Sequence, residues 1–330
     1  MSKCIKVGYF EFTLDYSYVF EPEFYSLLSK ALSHFPQFRF REGQKRLWNP
    51  ILKKTFANLP EERVRLALID YLTLEAGQSS SRISFESPVK LVGDKSSSRT
   101  DIICYGSDFE PLLLVECKAP EIKLDEKAAV QIARYNQKVG APYLLVSNGV
   151  LDFWFKVEGE EVLYQDEIPD LFQPQKEAVK KFSYWEDRGF LGEELSPEAK
   201  AYALESVVDL FEAPYQPIKY LSFDDYSPEF SLGHYYRIFG LEKNVKLGLS
   251  ISANPFGGTR LNAILNQKGS NVAFSSSSLD LIAGKESPNT EIHSAKGVTK
   301  VDIKAELGFS FENALTDLIP DLHDLLNQHS

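Results

Sequence analysis

The 330-residue sequence is short of cysteine, of positive charge and of long apolar runs. Its three cysteines, Cys4, Cys104 and Cys117, are an odd number without metal-ligand spacing, which argues against a disulfide framework and fits reducing cytosol. No segment approaches the roughly 20 apolar residues of a membrane helix. The opening MSKCIKVGYFEFTLDYSYVF mixes acids into its apolar positions, unlike a signal peptide. A cytoplasmic protein without membrane contact is expected. The five histidines, His34, His234, His293, His323 and His329, are scattered without ligand spacing. No G-x-S-x-G elbow, G-x-G-x-x-G fingerprint or G-x-x-x-x-G-K-[ST] phosphate loop is present. The nearest stretch to the last, NPFGGTRLN at 254–262, lacks its lysine and spacing. An α/β-hydrolase, a dinucleotide enzyme and a self-sufficient ATP-driven motor therefore have no support.

Thirty-six Lys and Arg stand against 47 Asp and Glu, a net charge of -11, which as a whole disfavours a phosphate-rich partner. Net charge does not describe a local surface. FRFREGQKRLWNPILKK carries Arg39, Arg41, Lys45, Arg46, Lys53 and Lys54 around Phe40 and Trp48, so a basic groove on an acidic protein is open, as is a solvated charged face.

Along the chain, EPEFYSLLSKALSHF predicts a helix. LPEERVRLALIDYLTLEAG predicts another, opened by Pro60, Glu61 and Glu62 and closed by Gly77. The period then falls to two: SPVKLVG, TDIICY and PLLLVECKA read as strands. LDEKAAVQIARYNQKV predicts a helix stopped by Gly140 and Pro142. APYLLVSNG reads as a buried strand, and LDFWFKVEGEEVLYQDE as a hairpin turning at Glu158-Gly159. The expected architecture is α/β, a small mixed sheet flanked by helices over residues 1–180. A mostly β module ending in a helix follows over 181–330. There, SYWEDRGFLGEELSPEAKAYALESVVDLFEAP contains a helical run. VKLGLSISAN, RLNAILNQ and TKVDIKAELGF read as strands, SSSS at 275–278 as a loop, and ENALTDLIPDLHDLLNQ as the last helix. Tyr220, Phe223, Tyr226, Tyr235 and Tyr236 either form that module's core or stack on bases, with core the expectation.

One constellation carries chemistry. Alternation puts Glu116 and Lys118 on one face of their strand and Cys117 on the other. The strand is apolar on both faces until this end, where an acid and a base stand in a place that is costly for charge. Asp101 opens the neighbouring strand, and two converging carboxylates are relieved by a divalent cation. Magnesium takes hard oxygen ligands, acidifies a bound water and polarises a phosphate. A lysine beside it orients that water, stabilises charge or acts as base. A bare D…ExK also fits a capped turn and a surface salt bridge.

Context separates the two. R-T-D-I at 99–102, L-L-V-E-C-K-A-P at 113–120, Q-I-A-R-Y-N at 131–136 and A-P-Y-L-L-V-S-N-G at 141–149, preceded by L-P-E-E-R-V-R at 59–65, resemble the N-terminal nuclease domain of the type I restriction enzyme R subunit, of the PD-(D/E)XK superfamily. The resemblance spans about 48 to 155. It implies Asp101 and Glu116 as metal ligands, Lys118 as the catalytic lysine, and Gln131 with Tyr135 as the Q-x-x-x-Y element beside the site or the DNA backbone. Glu62, with Glu61 as the alternative, matches a helix carboxylate beside the metal. The resemblance thus implies a Mg²⁺-dependent endodeoxyribonuclease, with Mn²⁺ as a substitute ion and DNA as partner, in a restriction-modification setting. A homodimer and an unidentified partner subunit are further expectations. The rival is a non-catalytic or partner-dependent DNA-binding protein that keeps the nuclease fold; RNA or branched DNA as substrate is a third reading.

Overall fold

The computed structural model describes residues 4–6, 27–89, 98–172, 180–193, 195–212, 217–223 and 232–330. Contacts divide the chain into two units: residues 1–36 with 47–178, and residues 37–46 with 179–330. The division thus falls near 180, with one exchange, since a ten-residue segment close to the N-terminus groups with the second unit.

The first unit holds strands β1 (Cys4–Lys6) and β2 (Leu27–Leu28). Strand β3 (Gln37–Arg41) belongs to the second unit, and β4 (Gln44–Asn49) runs from the second unit into the first, where it pairs β5 (Lys54–Phe56). Then come helix α1 (Pro60–Leu74) and strands β6 (Ile83–Val89), β7 (Ser98–Tyr105) and β8 (Pro111–Cys117). Helix α2 (Glu126–Val139) precedes β9 (Tyr143–Ser147), β10 (Leu151–Glu158) and β11 (Glu161–Gln165). The sheet order is β1-β11-β10-β9-β8-β7-β6, with β2 pairing β10. Only β8 and β9 run parallel among these pairs, and α2 supplies the crossover that parallel neighbours require. Leu113, Leu114 and Val115 are buried on both faces of β8, each contributing roughly 1.5–3 kcal/mol. Asp125 caps α2 by accepting from the Ala128 N–H, and Gly140, at φ 75°, ends it in the left-handed conformation open to glycine.

Two expectations in this unit are corrected. The helix over 21–35 does not form in its described part: Leu27–Leu28 is a strand on β10, and Lys30–Ser33 is a 3-10 turn capped by Ser29. The hairpin turns at Gly159 and Glu160, one residue later than expected, because Glu158 pairs Glu161. In SPVKLVG, strand β6 begins earlier, at Ile83, and residues 90–93 lie outside the described ones.

The second unit contains α3 (Phe182–Asp187), α4 (Pro197–Glu212) and an antiparallel sheet in sequence order. Its strands are β12 (Ile218–Leu221), β13 (His234–Glu242), β14 (Val245–Ala253), β15 (Thr259–Gln267), β16 (Ser270–Ser278), β17 (Thr290–Ser294) and β18 (Gly297–Val301). Helices α5 (Leu279–Ala283), α6 (Ile303–Leu307) and α7 (Ile319–His329) complete it. The expected C-terminal helix is present as a 3-10 turn, Leu315–Leu318, followed by α7.

Here too the structure departs from expectation. Ser275–Ser278 are not a loop but the buried end of β16, because their hydroxyls find cross-strand partners such as Thr290 Oγ1, 2.8 Å from Ser277 Oγ. The strand expected over 299–309 ends at Val301: Asp302 caps α6 by accepting from the Lys304 N–H, and Gly308 closes it. Of the basic N-terminal stretch, Arg39 pairs Asp187 at 3.0 Å, and Lys45 donates to the Gly233 carbonyl at 3.1 Å. Tyr236 is fully buried and donates its hydroxyl to the Leu232 carbonyl, and Tyr220 meets Tyr235 edge-to-face, so these rings serve the core. Tyr226 lies outside the described residues.

Candidate active site

Strand register builds the site. Ile102 faces Val115 and Ile103 faces Leu114, which carries Asp101 opposite Glu116 at the next position. On the other side, Phe85 faces Ile102 and Ser87 faces Thr100, which carries Glu86 opposite Asp101. Three carboxylates thus lie in one row across β6, β7 and β8. Like charges directly opposite each other destabilise a sheet unless cations sit among them. The chain supplies Lys118 and Arg65 and, at the exposed edge, Arg99, 4.0 Å from Glu86 Oε2.

Lys118 extends the Glu116 side of β8, and its Nζ stands 2.8 Å from Glu116 Oε1 and 3.2 Å from Gln131 Oε1. Gln131 Nε2 donates to Glu116 Oε1 at 2.8 Å and to the Tyr135 hydroxyl at 3.3 Å, so both residues of the α2 pair reach this end of the sheet. Arg65, one turn after Glu62 on α1, is the second cation. Its Nη2 lies 2.7 Å from Asp101 Oδ1, while Nη1 lies 2.6 Å from Glu62 Oε2 and 3.4 Å from Glu86 Oε1. The second oxygen of Asp101 accepts the Cys117 N–H at 2.6 Å.

Burial dominates the electrostatics. It pushes the Glu116 carboxyl up to about 7, with the Asp101 charge adding to it and Lys118 opposing. It pushes Glu62 to about 7 against the pull of Arg65. Asp101 is raised as well, by burial, against Arg65 and the Cys117 N–H. For Lys118, burial would lower the pKa, but the hydrogen bond and charge of Glu116 outweigh it, and the ammonium is held more firmly than usual. Glu61 is exposed, and its negative charge adds to the raised pKa of both Asp101 and Glu116.

The structure brings Asp101, Glu116, Lys118, Gln131 and Tyr135 together, and joins Glu62 to Asp101 only through Arg65. Arg65 and Glu86 were missed in the sequence. The Glu62/Arg65 spacing of three residues was a readable signal for the first; Glu86 needed the strand register. A cavity of about 450 Å³, lined by Ile51, Leu52, Ile83, Phe85, Tyr105 and Phe109 among others, has no charged residue among the described residues of its wall.

Among the described residues, no three His, Cys, Asp or Glu side chains are grouped so as to hold a metal ion. The donor chemistry nevertheless suits a divalent cation: all the acids offer hard oxygen, and Glu62 Oε1 is buried without a hydrogen-bond partner. What stands between the carboxylates is the chain's own guanidinium.

Residues 60–171 match the family model described as the type I restriction enzyme R protein N terminus. No curated protein and no solved structure matches the chain. The matched segment runs from α1 through β11 and contains every residue of the acidic cluster.

Proposed function

We propose that residues 60–171 are the catalytic part of a Mg²⁺-dependent endonuclease acting on DNA, of the kind the R-protein likeness suggests. The observation that carries the reading is Lys118 Nζ at 2.8 Å from Glu116, beside Asp101, at the end of a buried sheet within the matched segment. Buried charge at a strand end is expensive to maintain for architecture alone.

Asp101 and Glu116 would hold the ion, with Glu62 as a third carboxylate once free of Arg65. Bound there, Mg²⁺ acidifies water and polarises a phosphodiester. Lys118 keeps its proton in this setting, which favours stabilising charge on the phosphate oxygens, or orienting the attacking water, over acting as base. Gln131 accepts from Lys118 and donates to Glu116, fixing both side chains, and Tyr135 holds the Gln131 amide in turn. Both are positioning residues. A restriction-modification setting, a cytoplasmic location and a partner subunit belong to the same proposal. So does a homodimer, since two such sites would be needed to cut both strands.

The test is cleavage of supercoiled plasmid and of single-stranded DNA with Mg²⁺, Mn²⁺ or EDTA, for wild type and Lys118→Ala. Metal-dependent cutting, lost in the variant, is expected. No cutting, together with no Mn²⁺ binding by calorimetry, would replace this reading with a non-catalytic DNA-binding protein.

A further inference from the structure

We propose that Arg65 is a resident cation of the acidic cluster, and that its guanidinium must leave Asp101 before a divalent ion can be held there. The inference rests on the metal-site reading above and adds to it a competitor built into α1.

Three observations carry it. First, the fork spans the two acids that neither Lys118 nor Gln131 reaches: Nη2 on Asp101 at 2.7 Å and Nη1 on Glu62 at 2.6 Å. A planar guanidinium can bridge two carboxylates in this way through two separate nitrogens, a span that the single nitrogen of an ammonium does not have. Second, the bridge is incomplete at both ends. Arg65 Nε and Glu62 Oε1 are each buried without a hydrogen-bond partner among the described residues, and Glu62 is only 7% exposed. A permanent structural salt bridge would be expected to close these positions, because each open one costs about 1–3 kcal/mol. Third, Arg65 has another anion to move to. Glu86 Oε1 lies 3.4 Å from Nη1, is more exposed than Glu62, and sits on the outer strand of the row. Turning toward Glu86 would release Asp101 while the charge stays paired. Phe85, whose ring centre lies 5.3 Å from the guanidinium carbon, offers a surface over which that turn can run.

Competition fixes the sign of the experiment. Mn²⁺ alone is titrated by calorimetry into the full chain without DNA, for wild type, Arg65→Met and Arg65→Lys, each with Asp101→Asn added as the site control. Removing a charge-assisted pair from Asp101 is expected to tighten Mn²⁺ binding about 10- to 100-fold in Arg65→Met. In metal-free buffer the same variant is expected to melt below wild type and to regain more than wild type on adding Mn²⁺. Arg65→Lys keeps a charge but loses the fork, and a smaller rise is expected there; it serves alone if the Met variant does not fold. Weaker or unchanged Mn²⁺ binding in the folded variants would overturn the proposal and make Arg65 a support for the metal ligands. Binding that persists after Asp101→Asn would overturn it too. DNA cleavage enters none of these readouts. A chain whose Arg65 variants bind Mn²⁺ more tightly but which cuts nothing keeps this inference and loses the nuclease reading.

Discussion

Both units bury polar groups on a sheet, and they satisfy them by opposite means. In the second unit the central ladder is made of neutral groups that answer one another across strands, with one arginine at its end. The rung Ser250, Asn262, Ser276 crosses β14, β15 and β16. Asn262 donates to Ser252 Oγ at 2.8 Å and accepts from Ser276 Oγ at 2.7 Å, and Arg260 closes the line on Ser276. In the first unit the corresponding row is Glu86, Asp101 and Glu116, whose neutral donors, Gln131 on Glu116 and the Cys117 N–H on Asp101, leave the charge to be balanced by Arg65 and Lys118. A neutral ladder can be complete as folded, since a hydroxyl or an amide is able both to give and to receive, as Asn262 does. A row of carboxylates is complete only while cations are present, and cations can be exchanged. The difference separates a network that specifies strand order from one that is available for chemistry.

The largest effect is expected of Lys118→Ala. If the row exists for chemistry, cleavage should fall about 10²–10⁴-fold while the melting temperature measured with Mg²⁺ moves little, since an exchanged cation takes over from the lysine, which is a fifth exposed. A variant that melts far below wild type, with proportionate loss of activity, would put the acidic row in the same structural class as the serine ladder.

The converse change is Asn262→Ala. It removes a donor to Ser252 and an acceptor for Ser276 at a fully buried position, so the second unit is expected to lose about 2 kcal/mol in calorimetric unfolding. Mn²⁺ affinity at the first unit should stay as in wild type. A drop in metal affinity would mean the two networks are coupled and the comparison fails.

How far the sequence reveals each network follows from what its residues need. Asp101, Glu116 and Lys118 were legible because charge at the end of an apolar strand is anomalous by itself. Gln131 and Tyr135 came with the resemblance, and their four-residue spacing placed both on one helix face. The serine ladder was hidden, because a Ser run reads as loop until its partners arrive from other strands: Asn262, 14 residues before Ser276, and Thr290, 13 residues after Ser277. Arg65 was hidden for a related reason: on α1 it looks like one half of a Glu62 pair, and only the strand register brings Asp101 and Glu86 under the fork. The start and stop of α6, Asp302 and Gly308, were by contrast local and readable, and the strand pattern over TKVDIKAELGF masked them.

The smallest effect expected is a pH dependence that the neutral ladder cannot show. Burial holds Glu62 and Glu116 at about 7 in the folded chain, against an ordinary 4.5. Between those values the folded state keeps protons that the unfolded state has released, so stability falls as pH rises through the window and levels off above it. Replacing Glu62 by Gln removes one of the two groups. In EDTA, its melting temperature relative to wild type should therefore climb from pH 5 to pH 8 and level off above. Asn262→Ala, which touches no titrating group, should run parallel to wild type over the same range. Stability that rises with pH in wild type, or a Glu62→Gln curve parallel to it, would mean that Arg65 neutralises the cluster fully, and that the row is as closed a network as the ladder it is compared with.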